Sequence, residues 1–422
     1  MARIETIVFV YLAGAAVPAG RLVMVDEPRA RFSTFTYGRR YLERPDRIPI
    51  DPVQLPLPEP GRDVEIRTQE DFALFNGIRD AAPDGWGQYL MYKAMGDRLP
   101  TDADLILASG DHRVGALAFG PTPQRPMRFT PWGDGDAPGE QFDLGALAEA
   151  VERVQYVDGL NPDLRTLLMA GSSIGGARPK AVTEIDGQAW IAKFPSRSDT
   201  YPECRIELAT MRLAAECGLD VPHLDFTSIL GRDIYLIRRF DRQRTGDRLE
   251  RTAFASGLTM LGAHEADRGR FGYQDLADAL RRYGADPRRD LRELWRRMLF
   301  NVLVTNDDDH LRNHGFLLGA AGWRLSPLYD VVPKPQVGHE RTLVLRVGPQ
   351  GRAATVANAV AGAAAFHLTR EDAESEAAAM AAKVWNRWDA LYAEAGVSKA
   401  DRGRFATCFR QAEEAVDRET AR

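Results

Sequence analysis

Only three cysteines, Cys204, Cys217 and Cys408, are spread through the 422 residues. They are too few and too scattered for a disulfide framework or a zinc site, and a reducing cytoplasm is the compartment they suit. A net charge of −5 gives no overall reason to expect nucleic-acid binding. No run is long and apolar enough to cross a membrane. The apolar stretch from Ile7 to Gly20 follows a weakly basic start interrupted by Glu5. Gly14 and Pro18-Ala19-Gly20 divide it into two strand-like pieces, so it reads as sheet in preference to a secretory signal. A Walker A loop is also absent, because Lys180 is neither preceded by Gly nor followed by Ser or Thr. What remains is a chain with room for two or three domains and 44% hydrophobic residues to build their cores.

The most informative stretch is 288–332. Leu291, Leu294, Trp295, Met298, Leu299, Val302 and Leu303 recur at the three-and-four spacing of a buried helix face, which leads into Asn306-Asp307-Asp308-Asp309-His310. Phe316–Leu318 and Trp323–Leu325 flank Gly319-Ala320-Ala321-Gly322 and predict a β-hairpin, with Asp330 just beyond it. An isolated Asp run is ordinarily a solvated turn. Here it directly follows the most hydrophobic helix, and a second lone Asp follows a hairpin. A calcium loop does not fit, since no count from Asp307, Asp308 or Asp309 gives Gly sixth and Glu twelfth. The order is similar to that of a protein kinase active site, in which an Asp accepts the substrate proton, an Asn five residues later binds metal, and an Asp after the hairpin binds it too. Asp308 and Asn313 have that spacing. Asp309 is the alternative base. One carboxylate, one amide oxygen and phosphate oxygens suffice for Mg²⁺.

A second signal lies at 171–194. Gly171-Ser172-Ser173-Ile174-Gly175-Gly176-Ala177-Arg178-Pro179-Lys180 is a loop running into a strand, and Trp190–Phe194 is the partner strand carrying Lys193. Such loops let backbone N–H groups approach phosphates, and a neighbouring Lys supplies a point charge. The pattern from Tyr201 to Cys217 predicts a helix. On it Glu207 is either the partner of Lys193 or a surface residue. Ile234–Arg242 reads as a strand leaving the sheet, placing Arg238 and Phe240 as main-chain contacts to an adenine and Asp241 near a ribose. Residues 121–139 are rich in Pro, Gly and charge and read as a linker. Helices are expected over 371–395 and 399–418.

The expected fold is α+β: a two-lobed protein-kinase-like arrangement with a sheet-rich N-terminal half, including an extra N-terminal subdomain, and a helical C-terminal lobe with nucleotide in the cleft. The expected divisions are a β-rich subdomain at 1–120, a linker at 121–143, an N-lobe at 144–245 and a C-lobe at 246–422.

At this point the chain resembles a known family, the HipA-type serine/threonine kinases, toxins of bacterial type II toxin–antitoxin pairs. FSTFTYG and PDGWG look like the family's N-terminal subdomain, SSIGGARPKA like its phosphate loop, WIAKFP like its ATP-lysine strand and RRFDR like its hinge. NDDDHLRNHGFLL and LSPLYDVV are similar to its catalytic and metal motifs. The resemblance implies ATP and Mg²⁺ as cofactors, Asp308 as base, Asn313 and Asp330 as metal ligands, and Lys193 with the 173–177 loop on the phosphates. It also implies a structural hydrogen bond from His310. Ser173 matches a serine phosphorylated in cis, and Ser172 beside it is the alternative. Asp307 stands where many relatives have Thr. Implied partners are a helix-turn-helix, HipB-like antitoxin, DNA only through that antitoxin, and a protein target of the aminoacyl-tRNA synthetase class such as glutamate–tRNA ligase. The arginines from 281 to 297 read first as a solvated helix face and second as phosphate contacts. A small-molecule kinase and an inactive pseudokinase-like module are the rival readings.

Overall fold

The computed structural model describes residues 2–420 except 28–29, 63, 97, 128–142, 157–160, 172–174, 247, 268, 336–337 and 339. Most of the expected linker, together with Ser172, Ser173 and Ile174, thus lies outside the described residues. The chain forms two compact units, one of residues 1–197 and 227–255 and one of 198–226 and 256–422. Strands dominate the first half and helices the second, giving a mixed α+β protein. Among the described residues no helix is long and apolar enough to cross a membrane.

The first unit opens with a five-stranded sheet in the order Glu65–Arg67, Ala30–Tyr37, Ala15–Glu27, Ala2–Leu12, Leu117–Gly120, with antiparallel neighbours. The apolar stretch at 7–20 is therefore sheet. Ala13 and Gly14, both at positive φ, make its one turn. Pro18 does not break the second strand: the register slips between Val8 and Phe9, opposite Gly20 and Pro18. A proline lacking its N–H is tolerated at such a bulge. A second sheet pairs Lys180–Ile185 with Gln188–Lys193, and Gln188–Lys193 with Arg232–Arg238. Val8, Phe35, Leu90, Leu147, Trp190 and Leu236 belong to one hydrophobic cluster, so a single core underlies both sheets of this unit.

In the second unit the central element is the helix Pro287–Val304. Asp286 caps its start by accepting from Arg289 N–H, and Pro287 occupies the first turn, where no N–H is needed. Leu291, Leu294, Trp295, Met298, Leu299, Val302 and Leu303 are fully buried, as their spacing requires. The helix ends at Thr305 in the left-handed region. The expected hairpin forms with Phe316 opposite Leu325 and Gly319 opposite Gly322. The expected helix over 399–418 is divided into Lys399–Phe405, a 3₁₀ turn Ala406–Phe409 and Arg410–Thr420. Tertiary contacts claim that turn: the Thr305 hydroxyl donates to the Cys408 carbonyl at 2.6 Å, and the Phe409 ring stacks on Trp388 at 4.4 Å.

Candidate active site

The loop after the central helix separates three consecutive acids by environment. Asp309 is 3% exposed. Its Oδ2 accepts a hydrogen bond from the Tyr273 hydroxyl and lies 2.9 Å from His314 Nε2. Asn301 Nδ2 donates to the same Tyr273 hydroxyl at 3.1 Å, and Asn306 Nδ2 donates to Asn301 Oδ1 at 3.1 Å. Burial alone would raise the Asp309 carboxyl, but His314 and the hydrogen bonds from His314 and Tyr273 outweigh it and hold it below the usual carboxylate range. Burial, with the Asp309 charge beside it, pushes the Tyr273 phenol well up. Asp309, left open above as a second base, is thus spent on an interior network.

Asp308 faces the other way, with a side chain 60% exposed. Its carboxylate is 3.2 Å from Lys334 Nζ, which also lies 3.7 Å from Asp307 Oδ1. Asn313 Nδ2 donates to the Asp308 carbonyl at 3.3 Å, a contact that does not use the amide oxygen. The five-residue spacing is therefore a real contact within one loop.

Asp330 lies on a strap after the hairpin and holds φ +61, a backbone region that Asp tolerates better than most residues. The strap touches the acidic loop at both ends. Tyr329, one residue before Asp330, donates its hydroxyl to the Arg312 carbonyl at 2.7 Å, one residue before Asn313. Four residues after Asp330, Lys334 reaches Asp308. Among the described residues no three His, Cys, Asp or Glu side chains form a metal cluster. A cation here would take one carboxylate from Asp330 and one amide oxygen from Asn313, with the rest of its shell from phosphate and water, which suits Mg²⁺.

His310 departs from the expectation of a structural hydrogen bond, because its buried Nδ1 has no partner among the described residues. Its ring lines a pocket of about 80 Å³ with His264, Glu265, Phe271 and Leu345. The acids of that pocket have charge partners in place: Glu265 pairs with Arg312, and Asp267 with Arg270 at 3.4 Å.

In the first unit the glycine loop is fastened to the turn at 83–87. Gly176 N–H donates to Asp84 Oδ1, and Trp86 N–H donates to the Gly176 carbonyl at 2.9 Å. Gly85 permits the approach, since a Cβ there would lie 2.7 Å from both the Gly176 carbonyl oxygen and Ala177 Cα. Gly85 also has φ +38. Gly85→Ala is expected to destabilise the protein by about 2 kcal/mol, as clash and strained backbone add. Urea unfolding would read this, and an unchanged midpoint would show that the turn and loop are not packed together.

Lys193 is buried on its strand, directly opposite Lys180 in the register. The sequence reading gave Lys180 no role, yet its Nζ donates to the Gly175 carbonyl at 2.6 Å. Cross-strand pairing with Lys193 was the signal that could have found it. Glu207 is buried on the helix Glu203–Glu216, which belongs to the second unit. Arg238 ends its strand and is exposed, and Phe240 lies in the turn that follows.

Asp241 requires a correction. It is 3% exposed, and its Oδ1 accepts from Arg239 Nε at 2.9 Å. Its Oδ2 accepts from a second Arg239 nitrogen at 2.8 Å, Arg242 at 2.9 Å and Gly115 N–H at 2.8 Å. The carboxylate is the counter-ion of two buried arginines and is turned into the interior, away from any ribose at the surface. In the basic tract at 281–297, Arg281, Arg282, Arg288, Arg289 and Arg292 are exposed, as a solvated helix face requires, and only its end turns inward. Arg297 is buried and donates to Glu293 at 2.8 Å, Arg296 donates to the Gly218 carbonyl at 3.1 Å, and Arg292 pairs with Glu376. Arg296 and Arg297 are thus held by contacts within the chain, while Arg292 pairs from an exposed position.

The family model described as the HipA-like C-terminal domain matches residues 172–388, which spans the glycine loop, Lys193, the acidic loop and Asp330. The chain belongs to this HipA-like family. Among its relatives, "Putative kinase Y4mE" of Sinorhizobium fredii is 26% identical over 320 residues, 71% of each chain. A like-named Haemophilus influenzae protein is 28% identical over 196 residues, 42% of this chain and 57% of that one. The HipA-like fold extends beyond the matched segment. A HipA chain of Shewanella oneidensis, solved in a complex with HipB and operator DNA, superposes with a TM-score of 0.69 at 18% identity and covers 97% of both chains.

Proposed function

We propose that this HipA-like protein is an ATP- and Mg²⁺-dependent protein serine/threonine kinase. The carrying observation is the split within the acid triplet: Asp309 is locked in the interior, while Asp308 is exposed beside Asn313 and the strap that bears Asp330. In this reading Asp308 orients the acceptor hydroxyl and takes its proton as the γ-phosphoryl is transferred, so catalysis rests on positioning and charge neutralisation. Lys193 and the backbone of the 175–177 loop bind phosphates. Asn313 and Asp330 would hold Mg²⁺, which supplies charge neutralisation at the β and γ phosphates. The loop serines 172 and 173 are the proposed self-phosphorylation sites.

By its family the protein is proposed to act in the cytoplasm as the toxin of a toxin–antitoxin pair, bound by a HipB-like helix-turn-helix antitoxin through which alone it meets DNA. A protein of the aminoacyl-tRNA synthetase class is the proposed target. The paired acids of the pocket beside His310 support a protein acceptor over a cationic small molecule, which would need free carboxylates there.

Transfer of ³²P from [γ-³²P]ATP to the chain itself, to purified synthetases and to small alcohols tests this reading. Label on protein serine or threonine is expected. Asp330→Ala should remove the Mg²⁺ dependence of nucleotide binding, because the one carboxylate of the cation site is lost. Nucleotide binding that is equally Mg²⁺-dependent in that variant would exclude Asp330 as ligand.

A further inference from the structure

Lys334 belongs to none of the motifs described above. It rises from the strap where Val331 and Pro333 are buried, and its backbone N–H donates to the Thr305 carbonyl at 3.1 Å. Thr305 is itself immobilised as the left-handed cap of the central helix, with its hydroxyl between the Cys408 carbonyl and Arg341. The root of Lys334 is thus fixed to the C-terminal cap of the central helix. Its ammonium remains about half exposed, in contact with Asp308 and Asp307. Among the described residues the Asp308 carboxylate makes no other ion pair or hydrogen bond.

An exposed pair of this kind contributes little to stability. Its effect lies in geometry. A lone exposed Asp samples several rotamers, and only one presents an oxygen to an acceptor hydroxyl. A tethered ammonium on one oxygen selects a rotamer and offsets part of the negative charge that Asp307 and Asp308 would set against an incoming phosphate.

Resting on the kinase reading, we infer that Lys334 is a positioning residue for phosphoryl transfer, acting through Asp308. In the step it serves, the acceptor oxygen bonds to the γ-phosphorus while the bond from that phosphorus to the β–γ bridging oxygen breaks. The bridging oxygen leaves with the electron pair on ADP, and the acceptor proton passes to Asp308. Lys334 neither gains nor loses a proton.

The test uses the full chain and [γ-³²P]ATP, with self-phosphorylation and ADP release as readouts. Lys334→Met is expected to lower kcat by about tenfold to a hundredfold, with KM for ATP within about twofold of the parent value. Lys334→Arg, which keeps the charge, should recover most of the rate. In an Asp308→Asn background Lys334→Met should have no further effect. An unchanged kcat in Lys334→Met overturns the inference, and so does an equal loss in both backgrounds. A second measurement does not depend on activity: a zero-length carbodiimide should join Asp308 to Lys334 as an amide detectable by mass spectrometry. Absence of that cross-link removes the pair itself. Protein that forms the cross-link when treated, but whose untreated form transfers no phosphoryl group in any assay, overturns the kinase reading, and the proposed role of Lys334 with it.

Discussion

Asp308→Asn is expected to reduce phosphoryl transfer on the order of a thousandfold while leaving nucleotide affinity within about threefold of the parent. The substitution is nearly isosteric and falls on an exposed side chain, so the interior network of Asp309, Tyr273 and His314 stays intact. Rate and affinity therefore separate, as expected for a group that acts on the acceptor and not on the nucleotide. The measurement is a pair: label transfer from [γ-³²P]ATP and titration with a fluorescent ATP analogue. Unimpaired transfer would remove Asp308 from the chemistry. A parallel loss of affinity would place it among the phosphate or metal ligands instead.

The largest effect on stability is expected at Asp241. Asp241→Ala leaves two guanidiniums, with side chains 2% and 4% exposed, without their counter-ion. Removing one partner from such a buried group costs about 3–5 kcal/mol. Burial alone would raise the Asp241 carboxyl, but Arg239, Arg242 and the Gly115 amide hold it well below the usual range. An unfolded Asp titrates near pH 4. The contribution is therefore fully present above about pH 4 and is lost as acid carries the pH down toward the folded value. Urea unfolding of the parent at falling pH should show that loss, and the Asp241→Ala protein should show a shallower acid limb. A substitution costing under about 1 kcal/mol would mean that the arginines find other partners.

Both residues illustrate what could be read from the chain alone. The central helix, the hairpin and the strands at 30–37 and 188–193 were legible because each carries a strict period and a turn signal. The relation of Asp308 to Asn313 was legible because it is local, five residues within one loop. Which acid is interior was not, because Tyr273 is 36 residues from Asp309 in the chain. Asp241 was assigned to a ribose on its place after a strand, whereas its environment is set by Arg239, Arg242 and the distant Gly115. Lys334 and Asp84 were passed over for the same reason: each acts on a loop far away in sequence, and neither sits in a periodic pattern. The division of the last helix was hidden too, since the Thr305 hydroxyl that meets the Cys408 carbonyl lies 103 residues away in the chain.

The shared core of the first unit bears on how this protein can be dissected. The segment common to the family starts at residue 172, yet the strands around Lys193 pack into the same apolar cluster as Val8, Phe35 and Leu90. A fragment trimmed to that segment would lose most of that cluster and the Asp84 carboxylate that fastens Gly176. The homologous segment is not a portable module here, and its glycine loop comes already shaped by residues that lie outside it.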